Sequence, residues 1–163
     1  MAITFNVDEI FEMAEQIERN AAKFYREAAK KSGDKTATKT FVNLAMMEDG
    51  HLRTFAEMRK KLTPAEREMA EFDPESQAVC YLQAMADTHG TEGKKGRSEM
   101  LTGQESMQEI LKIAVAAEKD SIIFYTALKD LVDPDRGKDK VEAIISEELG
   151  HLATIKLMLA SIK

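Results

Sequence analysis

Residues 48–52 read EDGHL, and the pattern returns at residues 148–152 as ELGHL. In each stretch a glutamate stands three residues before a histidine. On an α-helix, residues three apart lie about 60° from each other on one face, so both side chains can point to one place. The two stretches therefore predict two helices that each carry a Glu-x-x-His pair.

The repeat extends far beyond these stretches, at a constant offset of one hundred residues. The matched residues are Glu9, Ala14, Glu18, Phe24, Tyr25, Glu48, Gly50, His51, Leu52, Thr54 and Met58, which recur at 109, 114, 118, 124, 125, 148, 150, 151, 152, 154 and 158. An offset that holds without a gap over so long a span indicates that one helical hairpin was duplicated.

Apolar residues recur every three or four positions in four long segments, which is the period of an amphipathic helix. Each segment is roughly 24 to 28 residues long, far above the usual helix length. Two short polar breaks, Ser32 to Asp34 and Asp133 to Gly137, join the segments into antiparallel hairpins. Within the first break, Gly33 is expected to take a left-handed conformation and Asp34 to cap the next helix.

These segments predict an all-α fold made of one domain, a ferritin-like antiparallel four-helix bundle. Hairpin 1 is predicted at about 7–62 and hairpin 2 at about 105–163, with a long helical crossover at about 63–104 between helices 2 and 3. Within the crossover, Thr63 to Glu66 reads as a capping box, and a helix is predicted to start near Asp73.

Composition excludes several classes of function. The net charge of −6 disfavours nucleic acid and anionic membranes as partners, because both attract basic surfaces. No apolar run approaches the ~18 residues of a membrane span, and the first residues lack the pattern of a secretory signal. The single cysteine, Cys80, excludes an internal disulfide and is expected to be a small buried hydrophobe. We therefore expect a cytoplasmic protein.

Four glutamates and two histidines lie within the apolar stripes of the predicted helices: Glu18, Glu48, His51, Glu118, Glu148 and His151. Carboxylates that converge in a dry interior are prohibitive unless protons or cations neutralise them. A Glu from each of two helices, with a Glu-x-x-His from each of the other two, is the ligand set of carboxylate-bridged dimetal bundles. The six residues therefore predict a centre of two metal ions.

The repeat also predicts how the ligands divide. Glu18 and His51 would serve one metal, Glu118 and His151 the other, and the two remaining glutamates would bridge them. Mixed oxygen and imidazole ligation favours two iron ions, with manganese or a mixed centre as alternatives. Tyr25 and Tyr125 each follow a terminal glutamate by seven residues, so each could hydrogen-bond a ligand carboxylate or simply fill the core.

At these residues the chain resembles the rubrerythrin-type branch of the ferritin-like diiron carboxylate superfamily. The paired motifs E-x6-Y and E-x2-H carry the resemblance over both hairpins. It implies metal-ligand roles for the six residues named above and places Tyr25 and Tyr125 beside the reacting centre. Two features depart from rubrerythrins: the rubredoxin domain is not in this sequence, and Ser121 stands where an additional glutamate is common.

The resemblance implies a diiron oxidoreductase that reduces hydrogen peroxide or dioxygen with electrons from an external donor, such as a rubredoxin-like protein. A homodimer or higher homo-oligomer is expected on the same ground. Two alternatives stay open at this point. One is a ferroxidase for iron storage or delivery, and the other is a non-catalytic scaffold that the metals only stabilise.

Overall fold

The structure, a computed structural model, describes residues 6–68 and 101–162. Four long α-helices dominate the described residues: α1 (Val7–Lys31), α2 (Lys35–Lys60), α3 (Met107–Asp130) and α4 (Lys138–Ser161). Short 3-10 turns at Ala65–Arg67 and Pro134–Arg136 complete the described elements, and no strand occurs among them. The predicted all-α four-helix bundle is therefore confirmed.

Each hairpin begins at a capping box, and the two boxes also lie one hundred residues apart. The Asn6 side chain accepts a hydrogen bond from the Glu9 amide, while the Glu9 carboxylate accepts one from the Asn6 amide. Ser106 and Glu109 form the same reciprocal pair at the start of α3. The duplicated glutamate therefore fixes where each hairpin starts.

Two apolar clusters fill the bundle at opposite ends, and each draws on all four helices. One contains Val7, Ile10, Phe11, Ala14, Phe55, Leu62, Phe124, Tyr125, Leu128, Leu131, Val132, Val141 and Ile144. The other contains Phe24, Tyr25, Ala28, Ala29, Ala37, Phe41, Leu44, Ala45, Leu101, Ile110, Leu111, Ala114 and Ile155. The helices are thus held at both ends, which leaves their midpoints to face one another.

The hairpin connections agree with the sequence except at one residue. Asp34 caps α2 by accepting from the Ala37 amide, as predicted. Gly33 was predicted to be left-handed, and this is wrong: the described glycines with positive φ are Gly103 and Gly137. The reason is that Ser32 leaves α1 in an extended conformation and Asp34 caps α2 directly, so the turn requires no left-handed residue. The helix predicted from Asp73 and the position of Cys80 lie outside the described residues.

Gly137 is the turn residue that a side chain would damage most. Its φ is 102°, and a Cβ built there would lie 2.9 Å from Val7 Cγ2. We expect Gly137→Ala to lower the free energy of unfolding by about 1 to 3 kcal/mol, because left-handed strain and the clash add. Gly33→Ala is the matched control, since a Cβ there meets no atom within 4 Å. Equal urea midpoints for the two variants would contradict this reading.

Candidate metal centre

The six predicted ligands meet at the middle of the bundle, between the two apolar clusters. Glu18 lies near the middle of α1 and Glu118 near the middle of α3. The Glu-x-x-His pairs occupy the middles of α2 and α4. Because the helices are antiparallel within each hairpin, the midpoints coincide, and the structure brings all six residues together.

On the side of the first hairpin, His51 faces two carboxylates. Its Nδ1 lies 3.9 Å from Glu18 Oε2 and 4.0 Å from Glu48 Oε2. These distances exceed a hydrogen bond. They leave room between the three side chains, which is what a shared cation between ligand atoms requires.

On the side of the second hairpin, the side chains are closer. His151 Nδ1 lies 3.1 Å from Glu118 Oε1, and its Nε2 lies 3.3 Å from Glu48 Oε1. Ligand atoms of Glu118, Glu148 and His151 all lie within 4.8 Å of one another, as do those of Glu48 with both histidines. The two halves are therefore joined through Glu48, and the histidine rings touch with centroids 4.7 Å apart.

Burial makes this cluster of charges unstable without a cation. The four glutamates and His151 are buried, and Glu48 has no exposed surface. Burial, followed by the charges of Glu148 and Glu48, raises the pKa of Glu18 far above its ordinary value. Burial and the charge of Glu118 raise the pKa of Glu148 to about 8. Without a cation, protons must therefore neutralise part of the cluster.

Burial acts in the opposite direction on the histidines. It lowers the pKa of His51, with a further lowering by the charge of His151, and it also lowers the pKa of His151. Both imidazoles are thereby kept neutral near pH 7. Neutral imidazole is the form that binds a metal ion.

Unsatisfied polar atoms test whether the cluster fits a dimetal centre. Among the described residues, the buried side-chain atoms without a hydrogen bond are Glu18 Oε2, both Glu48 oxygens, His51 Nδ1, Tyr125 Oη, Glu148 Oε1 and both His151 nitrogens. Buried polar groups normally form hydrogen bonds, so several unpaired polar atoms in one place indicate that they bind another partner, such as a metal ion. Every one of these atoms lies in or beside the six-residue cluster, and all but the tyrosine oxygen are metal-ligand types. The donor set fits metal ions.

The two tyrosines lie on opposite sides of the cluster, one in each apolar cluster. Burial raises the pKa of both well above the ordinary value, with contributions from Glu48 near Tyr25 and from Glu148 near Tyr125. Both phenols therefore keep their protons next to carboxylates. The hydroxyl of Tyr125 is a candidate donor to a ligand carboxylate or to a bound oxidant.

Ser121, one turn after Glu118, is buried but does not extend the ligand set. Its hydroxyl donates to the Ala117 carbonyl oxygen at 3.1 Å, back along its own helix. This position therefore supplies no carboxylate.

The two histidines differ in solvent contact, which the repeat does not predict. The His51 side chain is 18% exposed, whereas that of His151 is 0% exposed. Glu147 is a further feature that the repeat does not predict: it is exposed, and its charge opposes the lowering of the His51 pKa by burial. The repeat could not reveal it, because the matching position is Met47.

Comparisons with known proteins agree with this architecture. The rubrerythrin family model matches residues 2–59, the first hairpin. A solved structure from Thermotoga maritima, described as a candidate ferritin-like diiron-carboxylate protein, matches with a TM-score of 0.59, 24% identity and 97% of each chain covered. No curated protein matches the sequence. Within the described residues, none of the helices has the length and apolarity needed to cross a membrane. The chain thus has a ferritin-like fold, and the segment 2–59 is similar to the rubrerythrin family, as the sequence resemblance predicts.

Proposed function

We propose that this protein is a cytoplasmic diiron oxidoreductase that reduces hydrogen peroxide or dioxygen with electrons from an external donor. The observation that carries the proposal is the cluster of buried, unsatisfied ligand atoms at the bundle's midpoint. A scaffold would gain more from an apolar layer at this depth, because a buried charged network is commonly no more stabilising than well-packed hydrophobes. The arrangement therefore favours a catalytic metal centre over a purely structural one.

We assign the ligand roles from the repeat, and the short distances between the side chains support the assignment. Glu18 and His51 would hold one ion and Glu118 and His151 the other, with Glu48 and Glu148 between them. Iron held by these residues would supply the two electrons that reduction of the oxidant requires. Reduction of hydrogen peroxide takes two electrons and two protons, breaks the O–O bond and yields two water molecules.

The protein's own groups would control protons and water. The apolar clusters above and below the centre exclude bulk water from both ends of the bundle. The Tyr125 hydroxyl has no hydrogen-bond partner among the described residues and can orient the oxidant by donating to it. Glu48 lies between the two histidines, 4.0 Å from His51 Nδ1 and 3.3 Å from His151 Nε2, so its carboxylate could bind the same ions as both imidazoles.

Redox stoichiometry tests this proposal. Metal-free protein is loaded anaerobically with two Fe(II) per chain and mixed with hydrogen peroxide or with dioxygen in a stopped-flow spectrometer. We expect one peroxide to oxidise two Fe(II), at a rate at least about tenfold above that of Fe(II) in buffer. The faster of the two oxidants identifies the preferred substrate.

Two further measurements separate the alternatives. Re-reduction by an added reductant, followed by a second identical turnover, is expected for an oxidoreductase. Oxidation at the rate of free iron would overturn the proposal. Iron retained in large excess over two per chain, in a particle of many subunits, would instead identify a storage protein.

A further inference from the structure

The two halves of the centre carry the same ligand types, yet they do not meet solvent equally. Of the two histidines, His51 retains solvent contact, while the His151 side chain is fully covered. The four glutamates are buried on both sides, so the difference in solvent contact lies in the histidines. A path from solvent to the ligand atoms is therefore shortest on the side of His51.

The repeat shows that this side also differs in charge. Positions 47 and 147 correspond at the offset of one hundred residues, but the first is methionine and the second is glutamate. Met47 is half-buried and packs against the apolar cluster around Phe41. Glu147 is exposed. At this pair of corresponding positions, hairpin 2 therefore carries an exposed carboxylate where hairpin 1 carries a half-buried apolar side chain.

Helix geometry places that carboxylate near His51. Glu147 precedes His151 by four residues, so it lies one turn away on the same side of α4. The ring of His151 contacts that of His51, with centroids 4.7 Å apart. In agreement with this placement, the charge of Glu147 opposes the lowering of the His51 pKa by burial, although the two residues lie on different helices.

We propose that metal ions enter and leave the centre on the His51 side, with Glu147 as the entrance carboxylate, so that the ion held by Glu18 and His51 exchanges before the ion held by Glu118 and His151. The proposal rests on the dimetal centre of the proposed function but not on its redox chemistry. An exposed carboxylate raises the local concentration of a hydrated divalent cation and so its rate of entry. Salt screens this attraction.

Exchange order is measured with Co(II), whose visible absorption reports its ligands. Protein loaded with two Co(II) per chain is mixed with excess EDTA, and the absorption is followed. We expect two phases of equal amplitude, with the fast phase abolished in His51→Ala and the slow phase abolished in His151→Ala. A single phase in the unaltered protein, or the reverse assignment, overturns the proposed order.

Entry is measured as the rate of Co(II) uptake by metal-free protein at low salt. We expect Glu147→Gln to slow uptake about twofold to tenfold, and Glu147→Met, which copies the other hairpin, to do the same. Glu142→Gln is the matched control, because it removes an equal charge from the same helix at a side chain 58% exposed. High salt should erase the difference. Equal rates for the Glu147 and Glu142 variants overturn the role of Glu147.

The outcomes separate this inference from the proposed function. Two-phase release without peroxide or dioxygen turnover supports the entry route and refutes the oxidoreductase. Turnover with single-phase release refutes the exchange order alone. Failure to bind Co(II) at all refutes both.

Discussion

Replacing Glu48 with glutamine is expected to destroy the dimetal centre and yet stabilise the metal-free protein. Glu48 has no exposed surface, and burial with the charge of Glu118 raises its pKa well above the ordinary value. A carboxyl that must stay protonated at pH 7 costs about 1.4 kcal/mol for each pH unit above its unfolded pKa. Glutamine has the shape of the protonated acid without that cost. We expect the metal-free variant to gain about 1 to 3 kcal/mol.

Two measurements check this result together. Urea unfolding in EDTA gives the free energy of unfolding, and metal analysis after loading gives the stoichiometry, which should fall from two ions per chain to one or none. Glu57→Gln, on the same helix with a side chain 62% exposed, should change neither quantity. A Glu48→Gln protein that is less stable without metal would show that the carboxylate is a structural contact.

Metal-free and metal-loaded protein should also diverge as the pH rises from about 6.5 to about 8. Glu18, Glu48 and Glu148 have raised pKa values in the folded state. Folded protein therefore binds more protons than unfolded protein in this range, and stability falls with rising pH by about 1.4 kcal/mol per unit for each retained proton. The contribution of Glu148 ends near its pKa of about 8. Metal binding displaces these protons, so the affinity for metal rises with pH. The metal-loaded protein therefore does not lose stability over this pH range.

Urea unfolding of the Mn(II)-loaded and EDTA-treated protein at three pH values across this range provides the test. The histidines, whose pKa values are lowered, destabilise the fold only as the pH falls below their ordinary value of about 6.5, so they do not obscure the trend. The Glu48→Gln variant should show a shallower slope without metal. Parallel curves for loaded and metal-free protein would refute the link between the buried carboxylates and the metal.

The architecture was predictable because two independent patterns agreed. The helical period of apolar residues located the four helices, and the offset of one hundred residues marked polar residues that interrupt those apolar faces. Glu18 and His51 stood out because charge in a core stripe demands a partner. The structure then brings those residues together, since antiparallel hairpins superimpose their midpoints.

What escaped prediction depends on differences between the halves. A repeat identifies only the residues that two segments share. It therefore predicts the same environment for His51 and His151, and it gives no indication of Glu147, which has no counterpart in the first hairpin. The conformation of Gly33 depends on how two caps meet in one short turn, which composition does not report. Solvent contact depends on packing between hairpins, and no pattern within a single helix contains it.

The asymmetry at positions 47 and 147 has a consequence for how such a centre can evolve. Two separate copies of one hairpin would assemble about a twofold axis, and every change in one would appear in the other. The two solvent-facing sides of the metal centre would then have the same charge and the same exposure. Covalent linkage of the copies releases that symmetry constraint. The His51 side can then become the route for metal ions while the His151 side stays buried, although the ligand types on the two sides remain identical.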